Sequence, residues 1–295
     1  MSFQRIGILS IGEMGFHWAR LLRAKNREVL TFDKNRSQAT RERAADAGVT
    51  SVPSLAALAS ASDLIVSLVV PAAAKQTAVE LASALSGIEK KCLYFLEANA
   101  ISPMTAKEIQ GTFAALPVTF IDGCLIGSAA KLSQDTVLYV SGPDAAKIEE
   151  LREFGFSVKI LGPEIGQASA FKIMYAGLSK GLQGLLLELL LGAKRANLLD
   201  QLIACYDERF PGLVHKIGRG ISALPVHAGR RAQEMDELER TLRHYGLRSE
   251  MAPAVRKVLE SIAALDLATA VAEGTHRGTL QETLTLLLDN GLLGK

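Results

Sequence analysis

The stretch Arg5-Ile6-Gly7-Ile8-Leu9-Ser10-Ile11-Gly12-Glu13-Met14-Gly15 decides how this chain folds. Its first half is an apolar run with β-branched residues, and that run stops abruptly at small residues. Apolar residues then recur with helical spacing from Ala19, so the sequence predicts a strand, a tight turn and the start of a helix. Backbone N–H groups at such a turn carry partial positive charge and can hold a pyrophosphate.

The turn matches a dinucleotide-binding fingerprint at two of its three glycine positions. The fingerprint uses glycine for the tight turn, for close approach of a phosphate and for helix–strand packing. Ser10, Gly12 and Gly15 occupy these positions, so a serine replaces the first glycine. A turn that packs on the sheet and binds nothing is the alternative that these residues leave open. The predicted cofactor-binding residues of the turn are Ser10, Ile11, Gly12, Glu13, Met14 and Gly15.

Asp33 ends a second predicted strand, residues 28–32, about 20 residues past the turn. A dinucleotide site places a carboxylate there to bind the ribose hydroxyls, whereas capping of the next helix is the alternative role. Lys34 and Arg36 follow, and two cations beside the ribose could hold a 2′-phosphate. The residues therefore predict NAD or NADP as cofactor, with a slight preference for NAD because of Asp33.

Strand and helix patterns alternate through the first half of the chain. This alternation predicts an α/β fold with a doubly wound, mostly parallel sheet of the Rossmann type. Ligands of such sheets bind outside the carboxyl ends of the strands. The predicted cofactor site therefore also includes residues that follow the apolar runs 63–70 and 92–96, namely Val70, Pro71, Asn99 and Ala100.

The pattern changes at the turn cluster 162–166, after which only helical periodicity follows. We therefore predict a Rossmann-type NAD(P)-binding domain over residues 1–162 and an all-α domain over residues 163–295. The predicted helices of the second domain span 167–197, 199–210, 213–224, 226–245, 253–265 and 279–289. We expect this domain to serve substrate binding and dimerisation.

Composition argues against several classes of partner. The chain carries 33 basic and 31 acidic residues, a net charge of +2, and few aromatic residues, so we expect no nucleic acid partner. The most apolar stretch, 182–191, is interrupted by Gln183 and Glu188, and we expect no membrane span. Three scattered cysteines and the lack of a signal-peptide pattern predict a cytoplasmic protein, and no metal-ligand spacing is present.

The chain resembles β-hydroxyacid dehydrogenases, the superfamily of 6-phosphogluconate and 3-hydroxyisobutyrate dehydrogenases. The stretches that carry this resemblance are 6–15, 97–103, 121–128 and 162–172, and residues 227–235 are similar to an uncharacterised C-terminal domain of one branch. The resemblance implies that 97–103 contacts the nicotinamide, that 121–128 is a substrate-binding loop and that Lys172 is catalytic. It also implies that the helical domains pack together in a homodimer.

The sequence departs from the family pattern where the substrate is expected. Ile126 and Ser128 replace a serine and a glycine of the family loop, and Tyr175 and Ala176 occupy the helical turn after Lys172 where the family commonly has a substrate-binding asparagine. Arg230 and Arg231 lie on a predicted helix and could bind a carboxylate or phosphate, although a solvated helix face is an equally good interpretation. The predicted substrate-binding residues are Ile126, Gly127, Ser128, Tyr175, Ser179, Arg230 and Arg231.

Lys172 also fits the chemistry without the resemblance. Hydride transfer between an alcohol carbon and nicotinamide requires a proton to move at the oxygen, so one general acid/base must lie beside it. An ordinary lysine is protonated at neutral pH and suits carbonyl reduction, whereas burial beside a cationic nicotinamide would favour the neutral base. A surface lysine is the alternative interpretation.

The sequence thus predicts an NAD(P)-dependent dehydrogenase or reductase that acts on a hydroxy acid or a related carbonyl compound. Two alternatives stay open at this point. One is a dinucleotide-binding sensor or scaffold without turnover, and the other is an imine reductase on the same architecture. The predicted partners are a small-molecule substrate and a second copy of the chain.

Overall fold

The apolar runs of the first half form one sheet in the computed structural model, which describes residues 2–34, 36–89, 92–268 and 278–292. Its strands are β1 Arg5–Leu9, β2 Glu28–Thr31, β3 Thr50–Ser51, β4 Leu64–Ser67, β5 Leu93–Glu97, β6 Val118–Ile126, β7 Val137–Ser141 and β8 Ser157–Gly162. Their order across the sheet is β3-β2-β1-β4-β5-β6-β7-β8. All neighbours run parallel except β6 and β7. This confirms the predicted doubly wound, mostly parallel sheet.

Helices cover the sheet because successive strand residues point to opposite faces, and both faces are apolar. Ile8 belongs to one buried cluster and its neighbour Leu9 to the other. Strand β4 alternates in the same way, which is typical of parallel sheets with both faces covered. The helices of this half are α1 Glu13–Arg23, α2 Gln38–Asp46, α3 Leu55–Ala61, α4 Ala74–Leu85 and α5 Pro103–Thr112, with 3₁₀ segments at Pro71–Ala73, Ala129–Lys131 and Ala145–Phe154.

The ends of strands β4 and β6 shape the carboxyl edge of the sheet. The run 63–70 is a strand only to Ser67, because the neighbouring strands end opposite that residue, at Leu9 and Glu97. Strand β6 continues to Ile126, through most of the stretch 121–128 that the resemblance assigns to a substrate-binding loop. Its second half pairs antiparallel with β7, so a new ladder replaces the one that β5 no longer provides.

Two compact units make up the chain, Met1–Lys172 and Ile173–Lys295. The division falls inside a long helix, whereas the sequence places the domain boundary at the preceding turn, near residue 162. The reason is that the first turn of this helix hydrogen-bonds to β6, through Gly166 and Ser169. The start of the helix therefore belongs with the sheet.

The described part of the second unit is helical throughout, as predicted. The helices are α6 Gln167–Arg195, which starts in the first unit, α7 Leu199–Arg209, α8 Leu213–Ser222, α9 Leu224–His244, α10 Met251–Ala263 and α11 Leu280–Asp289. A core of its own, which includes Leu187, Ile221 and Leu259, holds this unit together. None of the helices in the described ranges has the length and apolar character needed to span a membrane.

Candidate cofactor and catalytic site

The turn between β1 and α1 has the backbone that a bound pyrophosphate requires. Gly12 is the N-cap of α1, and no side chain caps this helix. A Cβ atom added to Gly12 would meet nothing within 4 Å, whereas one on Gly15 would lie 2.4 Å from the carbonyl oxygen of Ser10. The turn therefore leaves open space at Gly12 for close approach by a ligand, and it requires glycine at position 15 for packing.

Ser10 adopts the conformation for which the fingerprint normally uses glycine. Its φ angle is +77°, in the left-handed region. This conformation costs a residue with a side chain about 1–2 kcal/mol. The replacement of glycine by serine therefore preserves the path of the turn at some expense of stability.

Asp33 lies two residues beyond the end of β2, at the carboxyl edge of the sheet. Its carboxylate accepts a hydrogen bond from the Ser51 hydroxyl, and the side chain is half-buried. Lys34 and Arg36 are exposed. The carboxylate and the two cations predicted to contact the ribose therefore lie in one segment after β2.

Asn99 is held at the same edge by the ends of β4 and β5. Its backbone N–H donates to Glu97 Oε1 at 3.0 Å, and its Nδ2 donates to Ser67 Oγ at 2.9 Å. Asn99 is almost fully buried, whereas Ala100 is half-buried. Near the end of β4, Val70 is exposed and Pro71 begins a 3₁₀ turn. The amide of Asn99 is therefore fixed by contacts with neighbouring strands.

Glu97 and Asp122 form a buried pair of carboxyl groups on adjacent strands. They are register partners of β5 and β6, and neither side chain is exposed. Burial raises the pKa of Glu97 to about 8, and the charge of Asp122 adds to this effect. Glu97 Oε2 has no hydrogen-bond partner. At neutral pH Glu97 is therefore mostly a neutral acid.

Asp122 holds the first turn of α6 against the sheet. Its Oδ2 accepts hydrogen bonds at 3.0 Å from the N–H groups of Gly166 and Ser169 and from the Ser141 hydroxyl. Its Oδ1 accepts from the Ser169 hydroxyl at 2.5 Å. Burial raises the pKa of Asp122, although these hydrogen bonds oppose that rise. A carboxylate here also interacts favourably with the positive end of the helix dipole.

Lys172 reaches the part of β6 that extends past the other strands. Its Nζ donates to the carbonyl oxygen of Leu125 at 2.7 Å, and the side chain is half-buried. The neighbouring Cys124 is buried, and this burial raises the pKa of its thiol to about 12, although the Lys172 charge lowers it. Cys124 is therefore a neutral thiol, and Lys172 is held beside it on β6.

The predicted substrate loop begins later than the sequence suggests. Residues 121–126 belong to β6, so Ile126 is a strand residue and only Gly127 and Ser128 enter the loop. Gly127 has a φ angle of +139°, and a Cβ atom there would lie 2.6 Å from the Cα atom of Thr136. Ser128 is exposed, and its carbonyl accepts from the Thr136 hydroxyl.

The remaining predicted substrate-binding residues lie in the second unit. Tyr175 is 53% exposed on α6. Ser179 Oγ accepts from Gln183 Nε2 at 3.3 Å, and Arg231 Nη1 donates to Gln183 Oε1 at 2.9 Å. Arg230 forms an ion pair with Glu234. The second unit thus brings Ser179 and Arg231 to the same glutamine.

Glu97 and Asp122 are residues of this edge that the sequence analysis does not name individually as site residues. Both lie inside stretches that carry the family resemblance, and each interrupts an apolar strand. That interruption is the signal that could have singled them out. Among the described residues, no three histidine, cysteine or carboxylate side chains cluster as ligands for a metal ion.

The fold and the turn together define a class of protein. A doubly wound sheet with this glycine-containing β1–α1 turn is a dinucleotide-binding Rossmann domain, and here an all-helical unit follows it. Residues 5–154, just over half of the chain, match the NAD binding domain of 6-phosphogluconate dehydrogenase, and the chain belongs to that family. Residues 193–262 match a domain of unknown function, DUF1932.

Individual relatives agree with this assignment. An uncharacterized 28.5 kDa protein from Methanothermus fervidus is 26% identical over 262 residues, which are 88% of this chain and 98% of the relative. The conserved protein MTH1747, of unknown function and described as structurally similar to 3-hydroxyacid dehydrogenases, is 26% identical. Its TM-score is 0.69, with 88% of this chain and 96% of that chain covered.

Two more distant structures share the fold. The 3-hydroxyisobutyrate dehydrogenase of Mycobacterium tuberculosis has a TM-score of 0.73 at 15% identity, covering 97% of this chain and 99% of its own. An imine reductase of Streptomyces aurantiacus has a TM-score of 0.57 at 15% identity, covering 96% and 99%. At this identity the likeness concerns the fold alone.

Substitution of the two turn glycines should have different effects, on stability at Gly15 and on cofactor binding at Gly12. Gly15→Ala should destabilise the protein by about 1–3 kcal/mol, because the new Cβ collides with the Ser10 carbonyl. Gly12→Ala should change stability by less than about 1 kcal/mol, because space is open there. The same methyl group should weaken NADH binding, since it occupies the space that a pyrophosphate needs. Urea unfolding and NADH titration measure both effects, and a Gly12→Ala variant with unchanged NADH affinity would contradict this view of the turn.

The raised pKa of Glu97 predicts that the stability of the folded protein depends on pH. Its pKa is about 8 in the folded protein against an ordinary value of 4.5, so unfolding between these values releases a proton. The contribution of Glu97 to the free energy of unfolding is therefore complete below pH 4.5 and is lost as the pH rises through 8. Between these values, the free energy of unfolding falls with a slope approaching about 1.4 kcal/mol per pH unit. Glu97→Gln, which mimics the neutral acid, should flatten this slope in urea unfolding. The exposed control Glu153→Gln should keep it, and an unchanged slope in Glu97→Gln would show that Glu97 ionises normally.

Proposed function

We propose that this protein is an NAD(P)-dependent oxidoreductase that acts on a hydroxy acid or a related carbonyl compound, with Lys172 as general acid/base. The observation that carries the proposal is the position of Lys172 Nζ, which is bonded to Leu125 O at 2.7 Å. That contact holds the ammonium on the extension of β6, beyond the edge where Asn99 lies. Strand β6 extends four residues beyond Asp122, the register partner of Glu97, and this extension is about 13 Å long.

The residues at the carboxyl edge fit a nicotinamide dinucleotide. The uncapped first turn of α1 offers N–H groups to the pyrophosphate, and Asp33 offers a carboxylate to the ribose. Asn99 offers an oriented amide at the end of β5. When bound, the cofactor supplies or accepts a hydride.

Lys172 would supply the proton that accompanies the hydride. The contact with Leu125 O holds the Lys172 amino group in place as a hydrogen-bond donor. In the reducing direction, the ammonium donates a proton to the oxygen of the carbonyl substrate as that oxygen becomes an alcohol. In the oxidising direction, the neutral amine would accept the proton from the hydroxyl group.

A homodimer is part of this proposal. Leu178, Leu185 and Leu189 of α6 are between 44% and 69% exposed, and their spacing places them along one side of the helix. Apolar side chains exposed in a row favour association with another protein surface. Sedimentation at micromolar concentration measures the assembly state.

NADH should bind more tightly than NADPH. The Asp33 carboxylate accepts hydrogen bonds from ribose hydroxyls and repels a 2′-phosphate, whereas Lys34 and Arg36 are exposed and their attraction is screened by salt. Energy transfer from Trp18, the single tryptophan, to the reduced cofactor measures both affinities. Asp33→Asn should narrow the difference between the affinities for NADH and NADPH. The exposed control Asp207→Asn should leave that difference unchanged. Tighter binding of NADPH to the unmodified protein would contradict the preference for NAD.

Lys172→Ala should lower turnover by a factor of about 10² or more and leave the affinity for NADH near its original value. The matched control Lys131→Ala removes an exposed lysine and should leave both quantities unchanged. The substrate for this assay comes from a screen of hydroxy acids, aldehydes and cyclic imines with the preferred cofactor. Unchanged turnover in Lys172→Ala would refute the catalytic role.

The same screen separates the proposal from its alternatives. Turnover of cyclic imines but not of alcohols or aldehydes would indicate an imine reductase. Cofactor binding without turnover of any of these classes would indicate a sensor or scaffold. Either result would replace the proposed dehydrogenase activity.

A further inference from the structure

Arg231 of α9 is a buried cation without a carboxylate partner among the described residues. Its side chain is 9% exposed, and its Nη1 donates to two neutral acceptors, Gln183 Oε1 at 2.9 Å and Gly220 O at 2.7 Å. Burial lowers the pKa of Arg231, and the like charge of Arg230 adds to this effect, whereas the charge of Glu234 opposes it. Buried charges are normally paired, because removing a charge from water is costly. Arg231 therefore departs from the usual arrangement.

The nearby carboxylate of Glu234 is shared by two other cations. Lys180 Nζ lies 2.8 Å from Glu234 Oε2, and Arg230 Nη1 lies 2.7 Å from Glu234 Oε1. Lys180, Arg230 and Arg231 thus have one carboxylate among them. In the described ion pairs, Glu234 is the carboxylate that lies among these three cations.

Gly220, within helix α8, leaves the space that the Gln183 side chain needs beside Arg231. A Cβ atom on Gly220 would lie 2.6 Å from Cδ of Gln183, which is itself buried. Glycine destabilises a helix relative to alanine, so α8 gives up some stability to admit this glutamine. Gln183 in turn accepts from Arg231 and donates to Ser179. The guanidinium is therefore held in one orientation.

Part of the guanidinium stays available. The described hydrogen bonds of Arg231 use Nη1, and neither Nε nor Nη2 is among the buried polar atoms that lack a partner. These two nitrogens are the donors that the described hydrogen bonds leave unused. They are the pair of donors that binds a carboxylate or phosphate with two parallel hydrogen bonds. A purely structural role explains the contacts of Nη1, but it leaves the other two donors unused.

We propose that Arg231, with Lys180 and Arg230 beside it, binds a carboxylate or phosphate group of a small molecule. The site lies wholly in the second unit, and it requires neither the cofactor nor Lys172. The inference therefore stands or falls separately from the proposed oxidoreductase activity. It identifies an anionic ligand as the class of molecule that this helical unit recognises.

Calorimetric titration of the full-length protein tests the site with inorganic phosphate and with malonate, and with neutral malonamide for comparison. Chloride keeps the ionic strength constant. We expect saturable binding of phosphate or malonate and none of malonamide. Arg231→Gln should raise the Kd by about tenfold or more, because the paired donors and the charge are lost. The control Arg243→Gln, an exposed arginine paired with Glu239, should leave the Kd unchanged.

Arg230→Gln provides a second variant that does not depend on a buried position, since this side chain is 51% exposed. It should weaken anion binding severalfold, and circular dichroism should show an intact fold. The proposal is overturned if neither anion binds saturably to the unmodified protein. It is equally overturned if folded Arg231→Gln and Arg230→Gln bind as the unmodified protein does. If Arg231→Gln does not fold, the unmodified protein and Arg230→Gln decide the result.

Discussion

The hydrogen bonds of Asp122 are the contacts on which the candidate catalytic site depends. This carboxylate comes from the middle of β6 and accepts N–H groups from the start of α6, more than forty residues later. A buried carboxylate is stable only with such partners, and the first turn of a helix has N–H groups that need acceptors. The two requirements satisfy each other, and they fix the position of Lys172 one turn farther along α6.

The antiparallel direction of β7 determines what the Lys172 side chain contacts. Because β7 runs antiparallel, β6 can extend past β5 and still have a hydrogen-bonded neighbour. The extension carries the Leu125 carbonyl, which receives the Lys172 ammonium. Beside it, the ends of β4 and β5 orient Asn99 through Ser67 and Glu97. One edge of the sheet thus offers an oriented amide and a candidate proton donor.

The sequence predicts most of the fold because its signals are local. The β1–α1 turn is readable from two glycines, and each helix of the second unit from its own periodicity. The end of β6 is not readable, since it depends on pairing with β7. The contacts of Asp122 and Arg231 are not readable either, because their partners lie 44 and 48 residues away, respectively, in the chain. Whether Lys172 and Asn99 act on a substrate stays a prediction.

A crystal structure of the protein with bound NADH tests the central claim most directly. The account predicts that the pyrophosphate contacts the N–H groups at the start of α1. It also predicts that the reactive C4 atom of the nicotinamide lies beside Asn99 and within reach of a substrate that contacts Lys172 Nζ. A nicotinamide ring bound away from Asn99 and Lys172, or a dinucleotide bound elsewhere than the β1–α1 turn, would contradict the account.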